Sequence, residues 1–182
     1  MPLNFYQDCL KTISRNDRNM LISCTKKLAD ALKIKVFEVV PIRRNRLFEW
    51  HANLFVFNRR NGVIMMNNLT RYSVVLYGLK ADHFKKFNEL VLSAIEQTFR
   101  SEGFSDEVIS NYVRTGAQMI YAKSSDRSIL GQLNDVQYHL EWRIEKRAPL
   151  DSVYMVEISK ELNRIPLGKQ MNYNFAIDLL QA

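Results

Sequence analysis

The chain has 182 residues, 47% of them hydrophobic and 25% charged, the proportions of an ordinary soluble domain with enough length for one core. No apolar run approaches the roughly 18 residues of a membrane-spanning helix, and MPLNFYQDCLKTISRNDRN lacks the apolar stretch and small-residue cleavage site of a secretory signal. The net charge of +7 is uneven: residues 1–87 hold 16 Lys+Arg against 6 Asp+Glu, and residues 88–182 hold 10 against 13.

Two cysteines, Cys9 and Cys24, make no disulfide framework, and the three histidines, His51, His83 and His139, are too scattered to suggest metal ligation. A reduced, cytoplasmic protein without metal or cofactor is expected.

Residues 1–18 read as an N-terminal extension or short helix, and residues 19–182 as a single domain. MLISC is a short strand leading into the helix TKKLADALKI, with Thr25 as its cap and Leu28, Ala29 and Leu32 on one face. Val36 to Val40 reads as a strand, followed by a basic loop containing Arg43, Arg44 and Arg46.

The strongest β signal is EWHANLFVFNRRNGVIMMNNLTRYSVVLYG. Asn61-Gly62 is the residue pair preferred in a two-residue hairpin turn, and Asn67-Asn68 marks a second turn. Along 49–57, Trp50, Ala52, Leu54 and Val56 face one way, while His51, Asn53, Phe55 and Phe57 face the other. Apolar residues on both faces predict a strand interior to the sheet.

LKADHFKKFNELVLSAIEQTFRSEGF reads as one long amphipathic helix, and Ser105 and Gly116 bracket another. QMIYAK is a further strand candidate. Pro149 is placed to open a last helix to about Asn163, with Pro166 as a stop, and the tail is ambiguous. The fold expected is α+β, a mostly antiparallel sheet packed with several helices.

Residues 125–146 form a helix with three kinds of face when turned through 100° per residue. Ile129, Leu130, Leu133, Val136, Leu140 and Ile144 make a core-facing stripe, with Gln132, His139 and Arg143 on the outer side. Arg127, Gly131, Asn134, Asp135, Tyr138 and Trp142 share a further arc. Gly131 weakens the helix by about 0.5–1 kcal/mol relative to alanine, so a close approach is expected there. One reading is a small anion, nucleotide or peptide held at this face. The other, favoured because close packing is the commoner use of such a glycine, is a buried seam in which Arg127 pairs with Asp135 or caps a loop carbonyl. Ser124 and Ser125 are expected to cap the helix rather than to act as nucleophiles.

WHANLF at 50–55, LTRYSVVL at 69–76 and SSDRSILGQLND at 124–135 resemble the blocks of a bacterial family, a domain of unknown function. TKKLADAL at 25–32 and ELNRIPL at 161–167 fit the same pattern, so the resemblance runs over roughly residues 19–170. Its most specific block is of the type Ser-Arg-Ser-x-Leu-Gly-x-x-Asn-Asp, and here Asp126 separates the serines from Arg127. The resemblance implies a shared core and carries over no catalytic residue.

Three functions remain open. The reading preferred is a non-enzymatic binding or regulatory protein that contacts nucleic acid through its basic half, with Arg43, Arg44, Arg46, Arg59 and Arg60 meeting phosphates. A protein-interaction accessory factor of a mobile-element or plasmid system is the alternative, supported by arginines and aromatics, the residue types enriched at interfaces. A small enzyme acting on a phosphate-bearing substrate would draw on His51, Asn53, Arg71, Arg127 and Asp135. The phosphate-binding loop, nucleophile elbow and His-Glu-x-x-His patterns are all missing, which disfavours familiar hydrolases and kinases.

Overall fold

A computed structural model describes residues 19–38, 45–147, 150, 152–168 and 171–181. The expected extension 1–18, Arg43, Arg44 and Pro149 lie outside them, and the helix expected from Pro149 begins only at Val156, since residues 152–155 are not helical and Tyr154 bridges Leu76. Five strands form one sheet in the order β4-β3-β2-β1-β5. They are β1 (Asn19–Cys24), β2 (Glu49–Phe57), β3 (Arg60–Asn67), β4 (Ser73–Leu79) and β5 (Gln118–Lys123). The fold class is α+β. Its sheet is mixed: β2·β3 and β3·β4 are antiparallel, as the meander of turns implies, whereas β1 pairs in parallel with both β2 and β5.

The period-two pattern of β2 is realised as two cores. Trp50, Ala52 and Leu54 join Ile22, Cys24, Val63, Met65 and Val74 on one face of the sheet. Four helices cover that face: α1 (Lys26–Leu32), α3 (Phe87–Ser101), α4 (Asp106–Thr115) and α7 (Ala176–Gln181). The short α2 (Ala81–Lys85) precedes α3, and Phe84 within it packs against the same core. On the opposite face Phe55, Ile64, Met66, Val75 and Tyr77 meet α5 (Arg127–Arg147) and α6 (Val156–Leu162). Strand β2 is therefore desolvated on both sides along most of its length, as its sequence predicts, except at Val56, which is 51% exposed near the hairpin.

The hairpin turn differs from the expected one. Phe57 pairs with Arg60, so Asn58 and Arg59 are the turn residues, at φ 45° and 60°. Gly62 instead sits between Phe55 on β2 and Tyr77 on β4. Those two rings close over it, nearly parallel, with centroids 6.1 Å apart. A Cβ at Gly62 would stand 2.2 Å from Phe55 Cζ. The glycine makes room for an aromatic pair rather than for a turn.

Other expectations are corrected locally. The long helix after β4 breaks at Lys86 into α2 and α3, because Lys86 leaves helical geometry at φ −112°, ψ 30°. Ser105 caps α4 through Val108 N, and Gly116 ends it, as expected. Thr25 occupies the N-cap of α1 without capping it by its side chain, since its hydroxyl donates to Asn53 Oδ1 at 3.1 Å. Of the expected strand at Val36–Val40, Val39 and Val40 lie outside the described residues, and Phe37 makes a parallel bridge to Ala122.

Side chains close the β4 edge. Asn163 accepts from Ser73 N at 2.6 Å and donates to Ser73 O at 2.8 Å, while Ser159 Oγ accepts from Val75 N at 3.1 Å. Polar groups of α6 and the residue after it thus satisfy backbone positions that another strand would otherwise seek.

Replacing Gly62 with alanine forces the Phe55–Tyr77 pair apart and is expected to destabilise the fold by about 1–3 kcal/mol. Urea denaturation reads this directly, and an unchanged midpoint would contradict the role given to Gly62.

Candidate functional site

The residues singled out from the sequence fall into three separate places. The first lies where β2 meets the turn that follows β3. His51 is 4% exposed, and its Nδ1 lies 2.7 Å from Asn68 Oδ1. Asn68 Nδ2 donates to the Glu49 carboxylate at 3.3 Å, and a carboxylate can only accept. Asn68 Oδ1 therefore accepts from His51 Nδ1–H, which leaves Nε2 as the unprotonated nitrogen of a neutral ring. Burial is the largest influence on this imidazole and lowers its pKa; Asn68, Asp126 and Glu49 pull it back up, and Arg71 adds to the lowering.

Arg71 sits in the same turn in the left-handed region, φ 63°. Asn67 holds the turn, accepting from Leu69 N at 3.0 Å and Thr70 N at 3.1 Å while donating to Leu47 O at 2.8 Å. Two guanidinium groups, of Arg46 and Arg71, converge on one carbonyl, Asn68 O. Burial, opposed by Asp126 and assisted by Arg46, lowers the Arg71 pKa. The helix carboxylate that acts on both His51 and Arg71 is thus Asp126, not Asp135 nine residues later and about 13 Å along the axis.

Asp126 also corrects the expected cap. Its Oδ1 accepts from Ser128 N at 2.9 Å and Ile129 N at 3.1 Å, so it caps α5 in place of Ser124 or Ser125. Asn53, one pleat further along β2, joins Thr25 to α5 by donating to Gln137 Oε1 at 3.4 Å.

The second place is the outer face of α5. The core stripe forms as predicted, with Ile129, Leu133, Leu140 and Ile144 buried. Arg127, Gly131, Asn134, Asp135, Tyr138 and Trp142 are exposed, Tyr138 at 77% and Trp142 at 53%. The expected buried seam is not there. Nothing lies within 4 Å of where a Gly131 Cβ would stand, and Arg127 makes no ion pair with Asp135. Two residues assigned to the outer side turn inward instead: Arg143 pairs with Glu161 at 3.2 Å, and Gln132 Oε1 is buried. Asn134, Asp135 and Tyr138 line a groove of about 470 Å³ whose other wall is the 162–168 segment.

The third place is the far end of β2. Arg59 and Arg60, at the hairpin tip, line a cleft of about 500 Å³ with Lys80, His83 and Tyr77. No carboxylate contributes to its lining among the described residues. Arg46 and the hairpin pair, grouped by sequence as one basic surface, therefore sit at opposite ends of a nine-residue strand. Lys80 and His83 carried no signal that would have joined them to Arg59. Gly78-Leu79-Lys80 reaches the tip through the β3·β4 pairing of Asn61 with Leu79.

Two measurements follow from these positions. Gly131→Ala meets open space on a helix, so it is expected to stabilise the fold by about 0.5–1 kcal/mol; a loss of stability on thermal unfolding would show that something covers the residue. The unfolded chain takes up a proton near the ordinary His value of 6.5 that the folded His51 resists. Stability is therefore expected to fall as pH drops below that value. His51→Gln should flatten this part of the pH–stability curve, and a slope equal to the parent's would place the titration elsewhere.

Residues 21–179 match the family described as a domain of unknown function (DUF6933). No curated protein and no solved structure matches the chain. Most of the chain is spanned by that one match, from β1 into α7, and the protein belongs to the DUF6933 family.

Proposed function

We propose that this protein is a non-enzymatic binding domain that contacts nucleic-acid phosphates through the cleft at the β2–β3 hairpin tip. The observation that carries this reading is the convergence of Arg59, Arg60 and Lys80 on one cleft, with His83 beside them and no carboxylate in the described lining. Arginine donors reach phosphate oxygens in pairs, and a cleft with one sign of charge concentrates an anionic strand. The excess of basic residues in the first half of the chain supplies the longer-range attraction.

The turn chemistry supports the same use. Positive φ at Asn58 and Arg59 follows from the two-residue hairpin, and it sets the neighbouring arginines Arg59 and Arg60 at the hairpin tip. A second reading, an accessory factor that binds another protein, rests on the exposed Tyr138 and Trp142.

Filter binding with mixed-sequence DNA and RNA at several salt concentrations tests the proposal. Three phosphate contacts predict a slope of about −2 to −3 in log K against log salt. Arg59→Ala, Arg60→Ala and Lys80→Ala combined should weaken retention about tenfold or more at low salt. Salt-independent affinity, or retention unaltered by the triple substitution, would reject the cleft as the contact.

A further inference from the structure

We propose that the groove between α5 and the 162–168 segment binds a small molecule with a flat apolar body and a protonated amine. This site is separate from the basic cleft and does not depend on it. Its volume of about 470 Å³ falls within the range of roughly 300–1,000 Å³ usual for small-molecule sites. Met66, Leu162, Ile165 and Pro166 give it apolar lining suited to a ring.

The polar groups select the head. Gln132 Oε1 is a buried acceptor with no partner, a costly state for an amide oxygen. One turn along the same helix face, Asp135 is exposed and has no ion-pair partner among the described residues. Residues three apart on a helix stand about 5–6 Å apart at Cβ, so an ammonium seated on the exposed Asp135 carboxylate lies within reach of the Gln132 amide once that side chain turns outward. An anionic head would meet the Asp135 carboxylate unscreened.

Gly131 now acquires a use. Helical side chains lean toward the N-terminus, so Asp135 projects over the turn that begins at residue 131. A side chain at 131 would cover the carboxylate, whereas the glycine leaves the space around it open. Among the described residues, three cations of this side of the molecule are already engaged: Arg143 and Arg147 with Glu161, Arg164 with Glu102. His139, at the groove edge, stacks edge-on against Tyr138 with ring centroids 5.9 Å apart. Tyr138 itself offers an exposed ring face to a bound ring or ammonium.

The groove is preformed. The Glu102 side chain is 1% exposed, and Arg164 grips both its oxygens, at 2.9 and 2.6 Å, while Tyr72 donates to it at 2.9 Å. That clamp ties the residue between Asn163 and Ile165 to the end of α3, which fixes the start of the groove wall before a ligand binds.

Tryptamine and indole-3-propionate are suitable probes, since they share ring and chain length and differ in carrying an ammonium or a carboxylate. Titration followed by amide chemical shifts should show tryptamine perturbing residues 132–139, Ile165 and Leu167. Indole-3-propionate should bind about tenfold more weakly, the equivalent of one charge-assisted hydrogen bond. Asp135→Asn should abolish the preference, and Gly131→Leu should weaken tryptamine while leaving the fold at least as stable. The proposal is overturned by tryptamine shifts scattered over the surface, by equal affinity for the two probes, or by an Asp135→Asn variant that still prefers the amine. Because Arg59, Arg60 and Lys80 play no part, either outcome leaves nucleic-acid binding to be judged alone.

Discussion

Strand β2 has to be removed from water on both faces, and helix α5 supplies the second of those covers. Phe55 on that face, with Ile64, Met66 and Val75 of the next two strands, presents an apolar surface that Ile129, Leu133, Leu140 and Ile144 fill. A stripe of this width uses only about a third of the helix circumference. The rest of α5 is left to whatever the sequence places there. What it places there is Arg127, Gly131, Asn134, Asp135, Tyr138 and Trp142, all exposed. The groove, the open notch and the exposed aromatics are thus consequences of a single docking contact, made from one side of a long helix.

The same strand separates the charges. Its nine residues span about 30 Å, so the guanidinium groups at its two ends cannot act on one ligand atom. Arg46 is drawn into the turn after β3, where it shares the Asn68 carbonyl with Arg71 under the influence of Asp126. That cluster satisfies most of its own polar groups, the buried Arg71 Nε excepted: His51, Asn68 and Glu49 form a directed chain of hydrogen bonds, and Asn67 locks the turn beneath it. At the other end, Arg59, Arg60 and Lys80 line a cleft to which no carboxylate contributes among the described residues.

Periodicity made much of this legible in advance. Both faces of β2, the stripe on α5, the capped helix 106–115 and the turn at Asn67-Asn68 all follow from spacing alone. Two of the departures share a cause: a residue's local preference is outweighed by a partner distant in sequence. Asn61-Gly62 is a good turn pair, yet Phe55 and Tyr77 claim the glycine from neighbouring strands. Thr25 is a good cap, yet Asn53 claims its hydroxyl. Gly131 looked like a packing notch because its neighbours are polar and aromatic, and only the position of the sheet shows that they face outward. Asp126 was legible as a cap in principle, since an aspartate directly before the helix outranks a serine two places earlier.

The account rests on α5 having one seated face and one open face, and the two tryptophans report on this separately. Trp50 is 1% exposed and donates to Tyr112 Oη at 2.9 Å, whereas Trp142 is 53% exposed beside Lys146. Acrylamide quenching of the intrinsic fluorescence is expected to resolve a protected and an accessible emitter, and Trp142→Phe should remove the accessible one while leaving the protected one unchanged. If the quenchable emission survives that substitution, or if Trp142 is as shielded as Trp50, the outer face of α5 is covered and the groove is not open to a ligand.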